Sequence, residues 1–301
     1  MTLDKAVSSP ILFKADFAGA TNCHATNCRI ELYDITTRWY IGNLIFMQRQ
    51  IILQEILSGA FWSLDMAALN FITRENVIIE CKDLTKTYPV EGAMVHAVNT
   101  VNLSVSKGDF LVILGHSGSG KTTLLSLIGG LTGPDSGQVY IDGVENWQQS
   151  DRALSTMRNS KIGFIFQFAS LIPTLSVMEN ILLPLSFGQN PAGSRELALD
   201  ILAQVGLADK ANAFPSQLSG GQQRRVAIAR SFINCPDIIL ADEPTGDLDE
   251  ETEKDILGLF RRYNEQGTTF VVVTHNSDLA ATQKGARVFS MRQGVLSAQI
   301  A

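Results

Sequence analysis

The sequence predicts an α/β fold in which a core of parallel strands carries an added antiparallel β subdomain and a helical subdomain. Three observations predict it. Short, continuous apolar runs recur at Phe110–Leu114, Ile162–Phe166, Ile238–Asp242 and Thr269–Thr274. Runs of this length without polar alternation are those of strands buried on both faces of a parallel sheet. A glycine-rich segment, Gly115–Gly120, separates the first run from Lys121–Ile128, which reads as a helix. Further strands near Val77–Leu84, Val98–Ser106 and Gly137–Asp142 are expected as a mostly antiparallel entry layer.

Taken in order, residues 1–76 stand apart from the rest. Cys23-His-Ala-Thr-Asn-Cys28 has the residue types of a metal site, but a zinc site needs about four protein ligands and no second cluster follows. Tyr40–Ile72 is rich in Ile, Leu, Phe and Trp, with Arg49, Gln50 and Glu55 interspersed, in the manner of an amphipathic helix lying on a membrane or partner, though without a basic face. Ile11-Leu-Phe13 is too short an apolar run for a signal peptide. The leading expectation is a start at Met66 or Met47, upstream residues not being part of the natural chain. The main domain is expected over residues 77–301, with helical candidates at Val177–Leu185, Arg195–Val205 and Arg224 to about Asn234, inside a helical subdomain of about 168–233. Arg287–Met291 and Val295–Gln299 close it as a hairpin.

The chemistry concentrates where strands end. Gly115-His-Ser-Gly-Ser-Gly-Lys-Thr122 has the spacing of a phosphate-binding loop and lies between a strand and a helix, the context such a loop requires. Glycines at Gly115, Gly118 and Gly120 let backbone N–H groups turn inward around phosphates. His116, Ser117 and Ser119 act there mainly through their backbone. The helix N-terminus at Lys121, Thr122 and Thr123 adds positive potential. Lys121 is expected to reach the β- and γ-phosphates of a nucleoside triphosphate, and the Thr122 hydroxyl to ligate Mg²⁺.

Ile238–Asp242 ends in two carboxylates. Asp242 is placed to support Mg²⁺, and Glu243 to polarise an attacking water as general base. The strand Thr269–Thr274 delivers His275 to the same sheet edge, where α/β sheets bind ligands, so His275 is expected against a γ-phosphate. Gln167 follows another strand and is a candidate for the metal or the water. Leu218-Ser-Gly-Gly-Gln-Gln223 is a second anion site at a helix start. Since the chain already has one phosphate loop, this second site is best used on a nucleotide held by another subunit, in a head-to-tail dimer.

The ordered set Gly115–Thr122, Gln167, Leu218–Gln223, Asp242–Glu243, Gly246-Asp-Leu-Asp249 and His275 resembles the ATP-binding cassette (ABC) ATPases over roughly residues 77–301. The resemblance implies the ABC type of phosphate-loop hydrolase fold, with ATP and Mg²⁺ as ligands. It further implies that Tyr88 stacks on the adenine, that Ser219, Gly221 and Gln222 meet the nucleotide of the opposing subunit, and that Asp249 couples the two sites. Val101–Gly108, Phe168–Asn180 and Asp242–Asp249 are similar to the macrolide-exporter and lipoprotein-release class, which includes a cell-division ATPase. Members of that class energise a separate membrane permease from the cytoplasmic face of the membrane. They dimerise around ATP, and some transmit force or regulate without moving a solute. His116 departs from the class, which usually has proline there. Phe168, Leu171, Leu175 and Phe187 are candidates for docking the membrane partner.

Composition agrees with this. Net charge of −6 and a pI near 5.3, with no basic stripe, argue against nucleic acid as a partner. The gap from phosphate loop to Leu218–Gln223 has no sustained heptads, unlike chromosome-acting relatives with long coiled coils. Cys23, Cys28, Cys81 and Cys235 are few and irregularly spaced, as in a reducing compartment. No uninterrupted apolar run reaches 18 residues, so the membrane part is expected in another chain.

Overall fold

The structure, a computed structural model, describes residues 76–90, 92–188, 193–246, 248–283 and 285–298. The Cys23–Cys28 segment, the apolar segment at Tyr40–Ile72 and the start at Met47 or Met66 lie outside the described residues, as does Gln299. The strands are β1 (Val77–Val90), β2 (Ala93–Ser106), β3 (Phe110–Leu114), β4 (Ser136–Ile141), β5 (Val144–Glu145), β6 (Ile162–Ile165), β7 (Ile238–Asp242), β8 (Thr269–Thr274), β9 (Arg287–Arg292) and β10 (Val295–Ala298). The helices are α1 (Lys121–Ile128), α2 (Asp151–Lys161), α3 (Val177–Leu182), α4 (Ser194–Gln204), α5 (Gly220–Phe232), α6 (Glu250–Glu265) and α7 (Ser277–Thr282).

The strands form two sheets among the described residues. One has the order β10-β9-β3-β8-β7-β6, parallel except for β10; the other, β2-β1-β4-β5, is antiparallel. Alternation along the parallel strands divides the core. Phe110, Val112, Ile239, Ala241, Phe270 and Val272 face a cluster that includes residues of α3, α4, α5 and α6. Their neighbours Leu111, Ile113, Ile238, Leu240, Val271 and Val273 face α1 and the antiparallel sheet. Both faces are dry, which is why these strands read as unbroken apolar runs. On the first face Phe270 stacks on Phe110 at 5.1 Å and meets Phe260 of α6 in a tilted pair at 5.2 Å.

Several elements differ from expectation for identifiable reasons. β1 and β2 run well beyond Leu84 and start well before Val98, because they pair as one long hairpin out to Val90↔Ala93. Backbone pairing extends a strand regardless of how polar its outward side chains are. α5 begins at Gly220 rather than Arg224: the Ser219 hydroxyl accepts the Gln222 N–H and the Gln222 side chain returns to the Ser219 N–H, a reciprocal cap. α3 stops at Leu182 and gives way to a 3₁₀ turn at Leu183–Phe187, where Pro184 lacks the N–H that an α-helix would need. α2 and α6 had no matching expectation. α2 buries only Leu154, so its apolar face is faint; its signals are the Ser150 cap and Asp151, Arg158 and Lys161 at charge-matched ends. α6 is capped by Asp249, carries Glu250, Glu251 and Glu253 in its first turn, and buries Ile256, Leu257, Leu259 and Phe260.

Candidate active site

The parallel strands all deliver their C-terminal ends to one edge. Leu114 pairs with Thr274 and Asp242 with Val273, so the segments after β3, β7 and β8 leave the sheet side by side. A cavity of about 650 Å³ opens there. His116, Ser117, Gly118, Ser119, Gly120, Lys121, Thr122, Thr123, Gln167, Asp242, Glu243 and His275 all line it. Residues from three strand ends, a loop and a helix N-terminus, scattered over 160 positions of sequence, therefore converge.

The loop is shaped by its glycines. Gly120 caps α1 with φ 105, and a Cβ there would lie 1.9 Å from the Ala97 carbonyl oxygen. Gly118 has φ 75, which only glycine adopts without strain. Gly115 lies at the base of the loop, where a Cβ would meet the Met291 carbonyl at 2.5 Å and Ser119 Oγ at 2.6 Å. Ser119 Oγ is buried with no hydrogen-bond partner among the described residues. A backbone this close-packed, ending in a helix N-terminus and holding an orphan hydroxyl, fits a phosphate group. Lys121, 7% exposed, donates from Nζ to the carbonyls of Gly115 at 2.7 Å and His116 at 3.1 Å, which holds its ammonium against the loop.

Opposite the loop, Thr122 Oγ1 donates to Asp242 Oδ2 at 2.7 Å. Burial pushes the Asp242 carboxyl above its usual range; the Thr122 hydrogen bond pulls it back, the Glu243 charge pushes it up again, and Lys121 and Arg224 oppose that. A hydroxyl and a carboxylate in contact make an all-oxygen donor pair, the chemistry of a hard divalent cation such as Mg²⁺. Glu243 is in the left-handed region at φ 46. Its carboxylate accepts from Thr274 Oγ1 at 2.8 Å and from the His275 backbone N–H at 3.0 Å, and meets His275 Nδ1 at 2.8 Å. Gln167 lies just past β6 and is exposed on the cavity wall.

Other expected site residues lie apart from this cavity. Tyr88 sits on β1 opposite Val95, two residues along β2 from the Ala97 that packs on the loop. Its ring is half-exposed, with Lys86 Nζ 5.6 Å from the centroid. Ser219, Gly221 and Gln222 form the first turn of α5 and its cap, outside the cavity lining of their own chain. Asp249 caps α6, its carboxylate accepting the Thr252 N–H at 3.0 Å and hydroxyl at 2.8 Å, bonds that hold it below the usual carboxylate range. Sequence reasoning missed Thr274, whose hydroxyl orients Glu243, and the cavity-lining Ala97 and Arg224; Gly246 was part of the Gly246–Asp249 motif but given no role in the cavity. Arg224 follows two glutamines and precedes another arginine, a pattern that reads as a wet helix face; only its 2% exposure reveals it.

Comparison with known proteins gives the same picture. The profile of the ABC transporter family matches residues 98–246. An uncharacterized ABC transporter ATP-binding protein of Thermotoga maritima is 45% identical over 218 residues, 72% of this chain and 92% of that protein. A similar protein of Methanocaldococcus jannaschii is 45% identical over 223 residues, 72% of this chain and 94% of that one. Its cassette has been solved as a dimer, at TM-score 0.69 and 42% identity over 74% of this chain and all of that one. It has also been solved as a dimer in a post-hydrolysis state bound to ADP and Pi, at TM-score 0.69 and 41% identity over the same shares. The macrolide export ATP-binding/permease protein MacB of Syntrophobacter fumaroxidans is 43% identical over 223 residues, 73% of this chain but 31% of that protein.

Proposed function

This chain belongs to the ABC transporter family as an ATP-binding, ATP-hydrolysing cassette, and we propose that its sheet-edge cavity drives a separate membrane permease through ATP-dependent dimerisation. The observation that carries the reading is the convergence of Lys121, the Thr122–Asp242 pair, Glu243, His275 and Gln167 on one cavity. The reaction is ATP + H₂O to ADP and phosphate. The loop from Gly115 to Gly120 and the N-terminus of α1 hold the phosphates, and Lys121 neutralises the β- and γ-groups. Thr122 and Asp242, with Gln167, would hold Mg²⁺, which would neutralise charge on the phosphate oxygens. Glu243 takes the proton of the attacking water as the bond from the γ-phosphorus to the ADP oxygen breaks. His275 spends Nδ1 on Glu243, so Nε2 is the atom left for the γ-phosphate.

Two observations support the dimer. Ser219, Gly221 and Gln222 make an anion-binding helix N-terminus outside their own cavity, and the similar cassette of M. jannaschii was solved as a dimer. In a head-to-tail pair they would complete the partner's site. Tyr88, on a strand beside the loop, is assigned to the adenine, and Asp249, capping the helix after β7, to coupling between sites. The MacB relative joins an ATP-binding to a permease part by name, and this chain matches 31% of it. No helix among the described residues is long and apolar enough to cross a membrane. As the resemblance to the macrolide-exporter class implies, we assign the permease to a partner and this subunit to the cytoplasmic membrane face. A cleft of about 670 Å³ with exposed Phe166 and Phe187 and with Arg152, Arg158 and Arg230 in its lining is the surface assigned to that partner; Phe168 is exposed beside Phe166, while Leu171 packs on the core.

Glu243→Gln tests the chemistry. It should bind ATP with Mg²⁺ yet hydrolyse it at least about tenfold more slowly, as expected for loss of a base. Turnover near the wild-type rate removes Glu243 from the role. The same variant, purified from membranes with ATP and Mg²⁺, should bring down a protein with a few spanning helices; a soluble dimer alone breaks the link to transport.

A further inference from the structure

Arg224 has no part in the mechanism above, yet it lies at the centre of the site. It is 2% exposed, rises from the second turn of α5, and lines the cavity. Nη1 donates to the carbonyl of Phe166 and Nη2 to the carbonyl of Glu243. Phe166 immediately precedes Gln167. β6 and β7 are sheet neighbours whose ladder ends at Ile165↔Ala241. Beyond that step the two chains leave the sheet, and the guanidinium fork spans the gap between them.

A buried cation is costly to desolvate, and here its two terminal nitrogens are directed at two backbone oxygens from different strand ends. What the fork provides is geometric: two fixed donors on one rigid plane. Glu243 needs such a restraint, because its left-handed φ is disfavoured for a residue with a side chain. Its N–H is held by the Val273 carbonyl and its own carbonyl by Arg224.

We propose that Arg224 is a positioning residue for hydrolysis: it fixes Gln167 and the Glu243 carboxylate relative to each other and ties both to the helix that begins at Ser219–Gln222. This rests on the assignment of Glu243 as the base. Because α5 starts with the residues assigned to the partner's nucleotide, any displacement of that helix on closure is felt at Glu243 of the same subunit.

The test compares Arg224→Met, which removes both donors, with Arg224→Lys, which keeps the charge but can serve one carbonyl at a time. In Arg224→Met, kcat should fall about 10- to 100-fold, the scale of a misplaced catalytic group, while KM for ATP and the affinity for a fluorescent mant-ATP probe stay within about threefold. Arg224→Lys should recover part of kcat. If Arg224→Met does not fold, as judged by its thermal melt, Arg224→Gln is measured in its place against the same thresholds. A kcat within about twofold of wild type, a KM that rises as much as kcat falls, or no recovery in the lysine variant overturns the inference. Glu243→Gln run in parallel separates the two failures. If it hydrolyses normally, the base assignment falls; if it is inactive while the Arg224 variants turn over normally, only the positioning role falls.

Discussion

The phosphate loop shows how tightly single residues are specified. At Gly120 two constraints coincide, a φ of 105 and a carbonyl 1.9 Å from any Cβ. Gly120→Ala should therefore cost about 2 kcal/mol or more of stability and weaken mant-ATP binding, because either the helix start or β2 must move; an unchanged melt and affinity would show that the contact relaxes freely. Ser119, Lys121 and Thr122 were legible from spacing alone, since the chemistry of a phosphate loop is local. Thr274 and Arg224 were not legible. A threonine ending a strand and an arginine in a helix are commonplace in sequence, and each acquires its role only from a residue 31 or 19 positions away.

Helix and strand ends carry the next level of design. Ser219 has two duties that can be separated: it caps α5, and it is assigned to the partner's γ-phosphate. Ser219→Asp retains a capping side chain, so the melt should change little. The added negative charge should abolish ATP-driven dimerisation of the Glu243→Gln protein, read by light scattering; a dimer of normal affinity would remove Ser219 from the interface. Beside the β1–β2 hairpin, Asp135, which immediately precedes β4, accepts Lys86 Nζ at 2.8 Å and the Thr87 N–H and hydroxyl at 2.7 Å each through its carboxylate, just before Tyr88. These bonds, that with Lys86 first, bring its pKa down from 3.8 to about 2. The folded pKa lies below the unfolded one, so the stabilisation is fully present above about pH 4 and is lost as pH falls towards 2. Asp135→Asn should be less stable than wild type at pH 7 in urea, and the gap should narrow between pH 5 and pH 3. A gap independent of pH would mean that the carboxylate charge does not matter. The hairpin itself was only half legible, because its outer half has no dry face to impose a pattern.

For the molecule as a whole, the question is how one cavity at a sheet edge moves something elsewhere. The cleft containing Phe166 and Phe187 borders β6, the same strand that hands Gln167 to the active site. A partner seated there would act on the site through one short segment, Phe166–Gln167, whose carbonyl Arg224 holds. Phe187→Asp should leave the ATPase rate of the isolated subunit unchanged, since Phe187 lies outside the active-site lining, but should prevent copurification of the membrane partner. Copurification undiminished would place docking elsewhere. That the fold would be α/β with a sheet-edge site was legible because the buried parallel strands leave unbroken apolar runs. α2 and α6 were missed because a helix covering only one side of the core keeps most of its surface polar, and α2 buries a single leucine.

By itself the sequence determined the family, the reaction, the loop assigned to the phosphates and the carboxylates that end the third core strand. Those properties depend on residue types at short spacing, and such local chemistry survives in one dimension. Only the tertiary structure decided which residues share a cavity and which stand outside it. It separated Ser219–Gln222 from their own chain's site and buried Arg224 between two strand ends. It also set Glu243 against Thr274 and His275. These are contacts across long loops, made where the sheet ends, and the physical reason they were hidden is that burial and pairing belong to the packed chain rather than to any segment of it.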